Sequence, residues 1–412
     1  MNILFLTTGR IIDLSERTIY CDLLRQFLEK GHSVYTLSPG NTEPIRCTVY
    51  GNNAVVAFAN VDTARGSNNL IKKGLSTLVT GKRYIQAIKK YYGSLHFDLV
   101  LYTTPPISFC SAVDYVKRRD GSKSYLLLKD IFPQNAVDIG MIPKSGVKGF
   151  LYIYFRNQEK KLYRISDHIG CMSKANVDYI IRHNPEVAPQ KVEVCPNSVE
   201  VMDLSVDTET KREIRKKYGI PLDKKVLVYG GNLGKPQGIP FLIECINKSE
   251  SVKDAYFLIV GDGTEYHLVS EYVDRNKPKN MKLMRKLPKE DYDRMVGACD
   301  IGLIFLDYRF TIPNFPSRLL AYMQAKLPVL AATDPNTDIG RVIENGGFGW
   351  WCESNDSAKF VKLVGCAVAA DTTELGRTSY HYLQENYSTE NSYDIILRNL
   401  QNDKCSGERG GV

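Results

Sequence analysis

The stretch DYRFTIPNFPSRLLAYMQAKLPVLAATDPNTDIG, Asp307 to Gly340, decides how the chain is read. An apolar strand, CDIGLIFLD, runs into it and ends in a polar loop. That loop passes through Pro-Asn-Phe-Pro-Ser-Arg into a short helix, and a second apolar strand, KLPVLAAT, ends in a second polar loop. Apolar runs without polar alternation belong to strands buried on both faces, as in a parallel sheet covered by helices. In such sheets ligands sit beyond the carboxyl ends of the strands, which puts the two polar loops at the binding end.

Outward from this stretch the same alternation repeats. KKVLVYGGNLGKPQG and AYFLIVGDG precede it as strands with glycine-rich exits. The first half carries NILFLTT, HSVYTLSP, DLVLYTTPP and SYLLLKDIFP, with a helical pattern through Leu23, Leu24, Phe27 and Leu28 that ends near Gly31. KVEVCPNSVE, Lys191 to Glu200, reads as a strand running into a turn. The polar, charged segment Asp203 to Gly219 then opens a new domain. With 412 residues the chain is too long for one core. The expected fold is α/β, with two doubly wound Rossmann-like domains facing each other across a crevice. Residues 1–200 form the first and 201–380 the second, and 381–412 form a C-terminal helix, free to pack back on the first domain, and a flexible tail.

Composition, 43% apolar and 24% charged, excludes a disordered chain. Ten cysteines stand singly, without a C-x-x-C pair, which argues against a disulfide framework or a zinc site and for a cytoplasmic protein. No metal cluster is evident and no cofactor is expected. No apolar run approaches the roughly 20 residues needed to span a bilayer.

Charge is unevenly placed. Residues 1–200 carry 26 basic and 17 acidic side chains, or +9; residues 201–412 carry 28 and 29, or −1. The excess gathers in two aromatic, amphipathic stretches, Asn69 to Leu95 and Lys148 to Arg164. Lys72, Lys73, Lys82, Arg83, Lys89 and Lys90 lie beside Ile71, Leu75, Leu78, Tyr84, Ile85 and Ile88, a pattern that alone suits an anionic membrane surface or a solvated surface helix, whereas the two stretches together favour the membrane surface. No nucleic-acid module appears, so nucleic acid is not expected as a partner.

Four loops of the second half suit a phosphorylated ligand. Gly230 to Gly238, which includes Gly231, Asn232 and Gly234, can turn backbone N–H groups toward an anion, although it matches neither G-x-G-x-x-G nor a Walker A motif. Gly261 and Gly263 allow a base or ribose close to the backbone, or equally make an ordinary strand-to-helix turn. Arg285 and Leu287, just before Pro288 leads a helix, line a nucleobase slot. Pro316 is placed at the first helical position, leaving the N–H of Ser317 and the guanidinium of Arg318 for a diphosphate. Thr337, Asp338 and Ile339 open the neighbouring helix. In the first half, Asp130 ends the strand SYLLL, where it either acts on an acceptor hydroxyl or pins the following turn.

Taken in order, DIFPQNAVDIG, IGCMSKANVDYI, VCPNSVE, YGGNLGKPQG, LIVGDG and FPSRLLAYM resemble the family 4 retaining glycosyltransferases of GT-B fold. Within that family the chain is similar to bacterial capsule and O-antigen transferases related to the N-acetyl-L-fucosamine transferases. The resemblance implies transfer, with retention, of an N-acetylated amino or deoxyamino sugar from a UDP-sugar to a polyprenyl-diphosphate-linked acceptor at the inner face of the plasma membrane. Members commonly carry two glutamates eight positions apart, and Pro313 and Ala321 stand there. The usual Arg and Lys of the glycine loop are Asn232 and Gln237, which leaves Lys235 and Arg318 as diphosphate cations. A common His-Asp pair is Lys129-Asp130. Donor recognition then falls to groups such as Asn314, Ser317, Asn336, Thr337 and Asp338. Two other readings fit the same loops: a nucleotide-sugar epimerase, and a non-catalytic sugar-nucleotide-binding subunit.

Overall fold

The computed structural model describes residues 1–61, 70–146 and 149–408. They form two compact units, Met1–Glu200 with the segment from Ser388 onward, and Val201–Tyr387.

The first unit is built on an eight-stranded sheet. Its strands are β1 (Asn2–Leu6), β2 (Ser33–Pro39), β3 (Ile45–Val49), β4 (Asn52–Ala59), β5 (Leu99–Thr103), β6 (Lys123–Leu128), β7 (His168–Cys171) and β8 (Val192–Val194), in the order β3-β4-β2-β1-β5-β6-β7-β8. All neighbours are parallel except β3 and β4. That hairpin departs from the expected all-parallel sheet. Its two-residue turn, Tyr50-Gly51, has φ of 51° and 76°, the left-handed pair that lets two strands meet with the right twist. Of Lys191–Glu200, read as a strand running into a turn, the strand is Val192–Val194, and Pro196, which cannot donate to a ladder, follows it.

The second unit carries a six-stranded, wholly parallel sheet. Its strands are β9 (Lys225–Asn232), β10 (Ala255–Asp262), β11 (Met281–Met284), β12 (Ile301–Phe305), β13 (Val329–Thr333) and β14 (Gly349–Glu353), in the order β11-β10-β9-β12-β13-β14. This is the dinucleotide-fold order, which reverses direction between β9 and β12. Leu227 and Tyr229 enter one core cluster with Phe257, Leu242 and Phe360, whereas Val226 and Val228 are equally buried outside that cluster. Alternate residues are therefore covered on both faces, the physical reason for the unbroken apolar strands.

The chain re-enters the first unit at Ser388, seven residues later than 381, because the helix Thr372–Asn386 stays on the second unit beside the helix Arg318–Gln324. The helix Thr389–Glu408 lies along Ile19–Glu29. Tyr393 meets Phe27 edge-on at 5.0 Å and the His32 ring nitrogen at 3.0 Å, and Ile396 is buried in the first core.

The two basic stretches become the helices Leu70–Tyr92 and Gly149–Ile165. The side chains of Lys72 and Lys73, and residue Lys148, lie outside the described residues. Lys89 sits over the Tyr115 ring at 5.3 Å and Lys90 over Tyr91 at 4.6 Å. On the second helix the aromatic face divides. Phe155 is buried against Phe132, Ile107 and Ile142, while Phe150 and Ile153 stay 68% and 58% exposed. No described helix is long and apolar enough to cross a membrane.

Candidate functional site

The carboxyl ends of β9 and β12 meet where the strand order reverses, and three loops converge there. β9 continues through Gly230, Gly231 and Asn232, pairing Asn232 with Asp262, so the glycine loop starts later than the sequence suggests. Gly230 is needed for packing: a Cβ there would lie 1.7 Å from the Tyr292 hydroxyl. Gly261, expected to admit a ligand, is instead required by the sheet, because its Cβ would meet the Gly231 carbonyl at 1.9 Å.

The loops are laced together by backbone groups. Leu233 N donates to Asp262 O, Glu265 N to Leu233 O, and Asp307 N to Pro236 O, at 2.8 to 3.0 Å. Within the glycine loop Asn232 Nδ2 donates to Gln237 Oε1 at 2.9 Å, and Gly234 N reaches the same atom at 3.3 Å. Across the opening stretch, Asn336 Nδ2 donates to Phe310 O at 2.6 Å and Thr337 Oγ1 to Asn314 O at 2.5 Å. Asp334 Oδ1 accepts the N–H groups of Asn336 and Thr337. Residues 310–314 and 334–337 thus behave as one piece.

Arg318 stands at the centre of this arrangement. Its guanidinium lies over the Tyr229 ring at 4.3 Å, and its Nη2 is 3.7 Å from where a Cβ of Gly231 would be. Tyr322 accepts from Gly230 N and donates to Leu303 O. Burial, opposed in part by the Arg318 charge, pushes the Tyr229 phenol up. Arg318 Nη1 and Asn314 Nδ2 are both buried donors without a hydrogen-bond partner. An unsatisfied buried donor costs about 1–3 kcal/mol, and more when charged. Two of them within one short segment, in the loop after β12 and at the start of the helix that follows it, form a place that an anionic acceptor would stabilise. The helix of Arg318 spans only Arg318–Gln324, with Ser317 as its cap, so Pro316 lies ahead of the helix and not at its first position. The helix Ile339–Asn345 is equally short.

The remaining candidates are distributed around this centre. Arg285 is paired with Asp262 at 2.9 Å and stacked on Tyr266 at 3.6 Å, beside Gly263. Asp307 and Arg309 pair at 2.7 Å. Lys235 is exposed in the turn Lys235–Gln237. Asp338 stands at the start of its helix without a side-chain capping bond, and lies close enough to Tyr382 and Tyr387 to raise both phenols, after burial. Leu287 is half-buried after β11. The sequence reading missed Tyr229, Tyr292 and Tyr322, since a tyrosine at the end of an apolar strand looks like core. Among the described residues no His, Cys, Asp and Glu group could hold a metal ion.

In the first unit Asp130 follows β6. Thr104 Oγ1 donates to its carbonyl and accepts the Lys129 N–H. Its carboxyl is near Tyr20, whose hydroxyl is bonded by Thr103, and Thr103 in turn bonds Thr7. Burial pushes the Asp130 carboxyl up to about 7, and burial lowers the Lys129 amine to about 8. Both groups therefore titrate near neutrality.

Residues 210–371 match the family model for glycosyl transferases group 1, a match that lies within the second unit. The chain is 25% identical over 326 residues to the probable glycosyltransferase WbjE of Pseudomonas aeruginosa, covering 78% of each chain. It is 20% identical over 315 residues to the putative colanic acid biosynthesis glycosyl transferase WcaI of Escherichia coli K12, covering 74% of this chain and 73% of the other. Anabaena HepE, solved in complex with UDP, superposes with a TM-score of 0.68 at 14% identity over 98% of this chain and 100% of that one. The architecture is GT-B, two parallel-sheet α/β units.

Proposed function

We propose that this protein is a retaining glycosyltransferase of bacterial surface-polysaccharide synthesis. It takes a sugar, an N-acetylated amino or deoxyamino sugar, from a UDP-sugar to a lipid-linked saccharide. The observation that carries the reading is the pair of buried, unpartnered donors, Arg318 Nη1 and Asn314 Nδ2, on laced loops at the strand-order reversal. The group 1 match over the same unit and the UDP bound by HepE support it. Breaking a sugar–diphosphate bond leaves an oxocarbenium-like carbon and a departing anion. Donors held in place before the reaction stabilise charge that grows in the transition state. Lys235 adds a second cation at the glycine loop, and Asp130 of the first unit serves as the partner of the acceptor hydroxyl.

The acceptor is held on a polyprenyl diphosphate, and the first unit docks reversibly on the anionic inner leaflet. Exposed Phe150 and Ile153, with the exposed cations Lys82, Arg83, Lys89 and Lys90, support this part of the reading.

Incubation of purified protein with a panel of UDP-sugars and a polyprenyl-diphosphate-linked saccharide tests it. Transfer that requires the lipid-linked acceptor is expected. Epimerised sugar without acceptor, or UDP binding without turnover on any donor, would replace the proposal by an epimerase or a binding subunit. Absence of UDP binding by calorimetry would remove the donor site altogether.

A further inference from the structure

We infer that Tyr229 is a positioning residue for the donor diphosphate, a plate that fixes the Arg318 guanidinium and the glycine loop in one geometry before the ligand arrives. The inference rests on the donor-site reading given above.

Tyr229 is clamped at both ends. Its ring is fully buried, packed edge-on to Phe305 at 6.3 Å within the core cluster of the second sheet. Its hydroxyl donates to the carbonyl of Asn232 at 2.7 Å, three residues on and inside the ligand-facing strand end. One face carries Arg318 at 4.3 Å. The neighbouring Tyr322 hydroxyl is already committed to Gly230 N and Leu303 O, so it anchors the sheet and not the loop. Of the tyrosines here, Tyr229 touches both the cation and the loop that follows β9.

Arginine has a long, flexible side chain, and ordering it when a ligand binds costs affinity. A guanidinium already stacked on a fixed ring has met that cost during folding. A desolvated cation–π contact is strong enough to hold it. The Nη1 atom, buried and unpartnered, is then held in a fixed place beside the ring. The shared anchor at Asn232 also ties the angle of the glycine loop to the plane of the arginine.

A double-mutant cycle read by UDP calorimetry tests this. Arg318→Ala is expected to weaken UDP binding about ten- to hundred-fold. Tyr229→Leu should weaken it about ten-fold, and the double variant should lose far less than the sum of the two single losses, because the ring acts chiefly through the arginine. Tyr229→Phe, which keeps the stack but loses the hydroxyl bond to Asn232 O, should fall between the wild type and Tyr229→Leu, its remaining loss reading the loop anchor. Should Tyr229→Leu not fold, a fluorinated tyrosine at 229 keeps the shape and withdraws charge from the ring face. UDP affinity should then fall with fluorination in the wild type and not in Arg318→Ala. Losses that add in full, or an affinity indifferent to the ring, overturn the positioning role. An Arg318→Ala protein that binds UDP as the wild type does overturns the donor-site reading itself, and the inference with it.

Discussion

Asn232 and Gln237 hydrogen-bond to each other across the glycine loop at 2.9 Å, and Gln237 Oε1 also takes the Gly234 N–H. The loop is thereby closed with a neutral bridge. Under the proposed donor site, positive charge for the diphosphate comes from Arg318 and Lys235, and the loop contributes shape.

The bridge offers a charge test. Gln237→Glu keeps an acceptor for both donors and adds one negative charge beside the proposed diphosphate. UDP affinity should fall by about 1–3 kcal/mol, with a larger loss at low ionic strength. Calorimetry at two salt concentrations checks it. A salt-independent affinity equal to the wild type would place the diphosphate elsewhere.

Asp130 should be visible in the pH dependence of transfer. A base works only when deprotonated, so with a carboxyl near 7 the rate should fall as pH drops through 7. In Asp130→Asn that acid limb should vanish and the rate drop about 100-fold or more, with UDP affinity unchanged. The same shift affects stability. The folded-state carboxyl is raised above its unfolded value, so its stabilising neutral form is complete below about 4 and lost as pH rises to 7. Urea titrations of wild type against Asp130→Asn should show wild type losing up to about 4 kcal/mol over that interval.

The buried pair Arg215–Asp300, at 2.5 Å, should control the stability of the second unit. Asp300 also accepts Val226 N and pairs with Lys211 at 2.7 Å. Burial alone would raise its carboxyl, yet Lys211 and Arg215 hold it below the usual range. Arg215→Met should destabilise by about 3 kcal/mol, less if Lys211 compensates. Because the Asp300 value is depressed, the stability it brings is present above about 4 and lost as pH falls further, so the difference between the proteins should narrow in acid. Denaturant midpoints at pH 7 and pH 3.5 measure both effects.

Membrane docking makes a two-part prediction. Phe150→Ser with Ile153→Ser should reduce sedimentation with anionic vesicles several-fold at any salt. Lys82→Glu with Arg83→Glu should abolish it at low salt, at about 1 kcal/mol per cation. UDP binding should be untouched by either change. Equal sedimentation of all three proteins would place the attachment outside these helices.

The sequence by itself determined the layered α/β architecture of this protein, because unbroken apolar strands such as VLVY and GLIF survive only when both sheet faces are covered. It also drew attention to Arg318 and the loop around Asn314 through their proline-rich turn, although the helix begins at Arg318 and not at Pro316. It did not show the β3–β4 hairpin as a strand pair, although Tyr50-Gly51 is a usable signal once the turn geometry is known. The functions of the glycines were divided only by tertiary structure: Gly230 and Gly261 serve Tyr292 and the neighbouring strand, contacts made by residues distant in sequence. The same holds for the orphaned atoms Arg318 Nη1 and Asn314 Nδ2. Whether a buried donor finds a partner depends on which distant groups packing brings to it, so the setting of Arg318 over the Tyr229 ring became legible only in the fold.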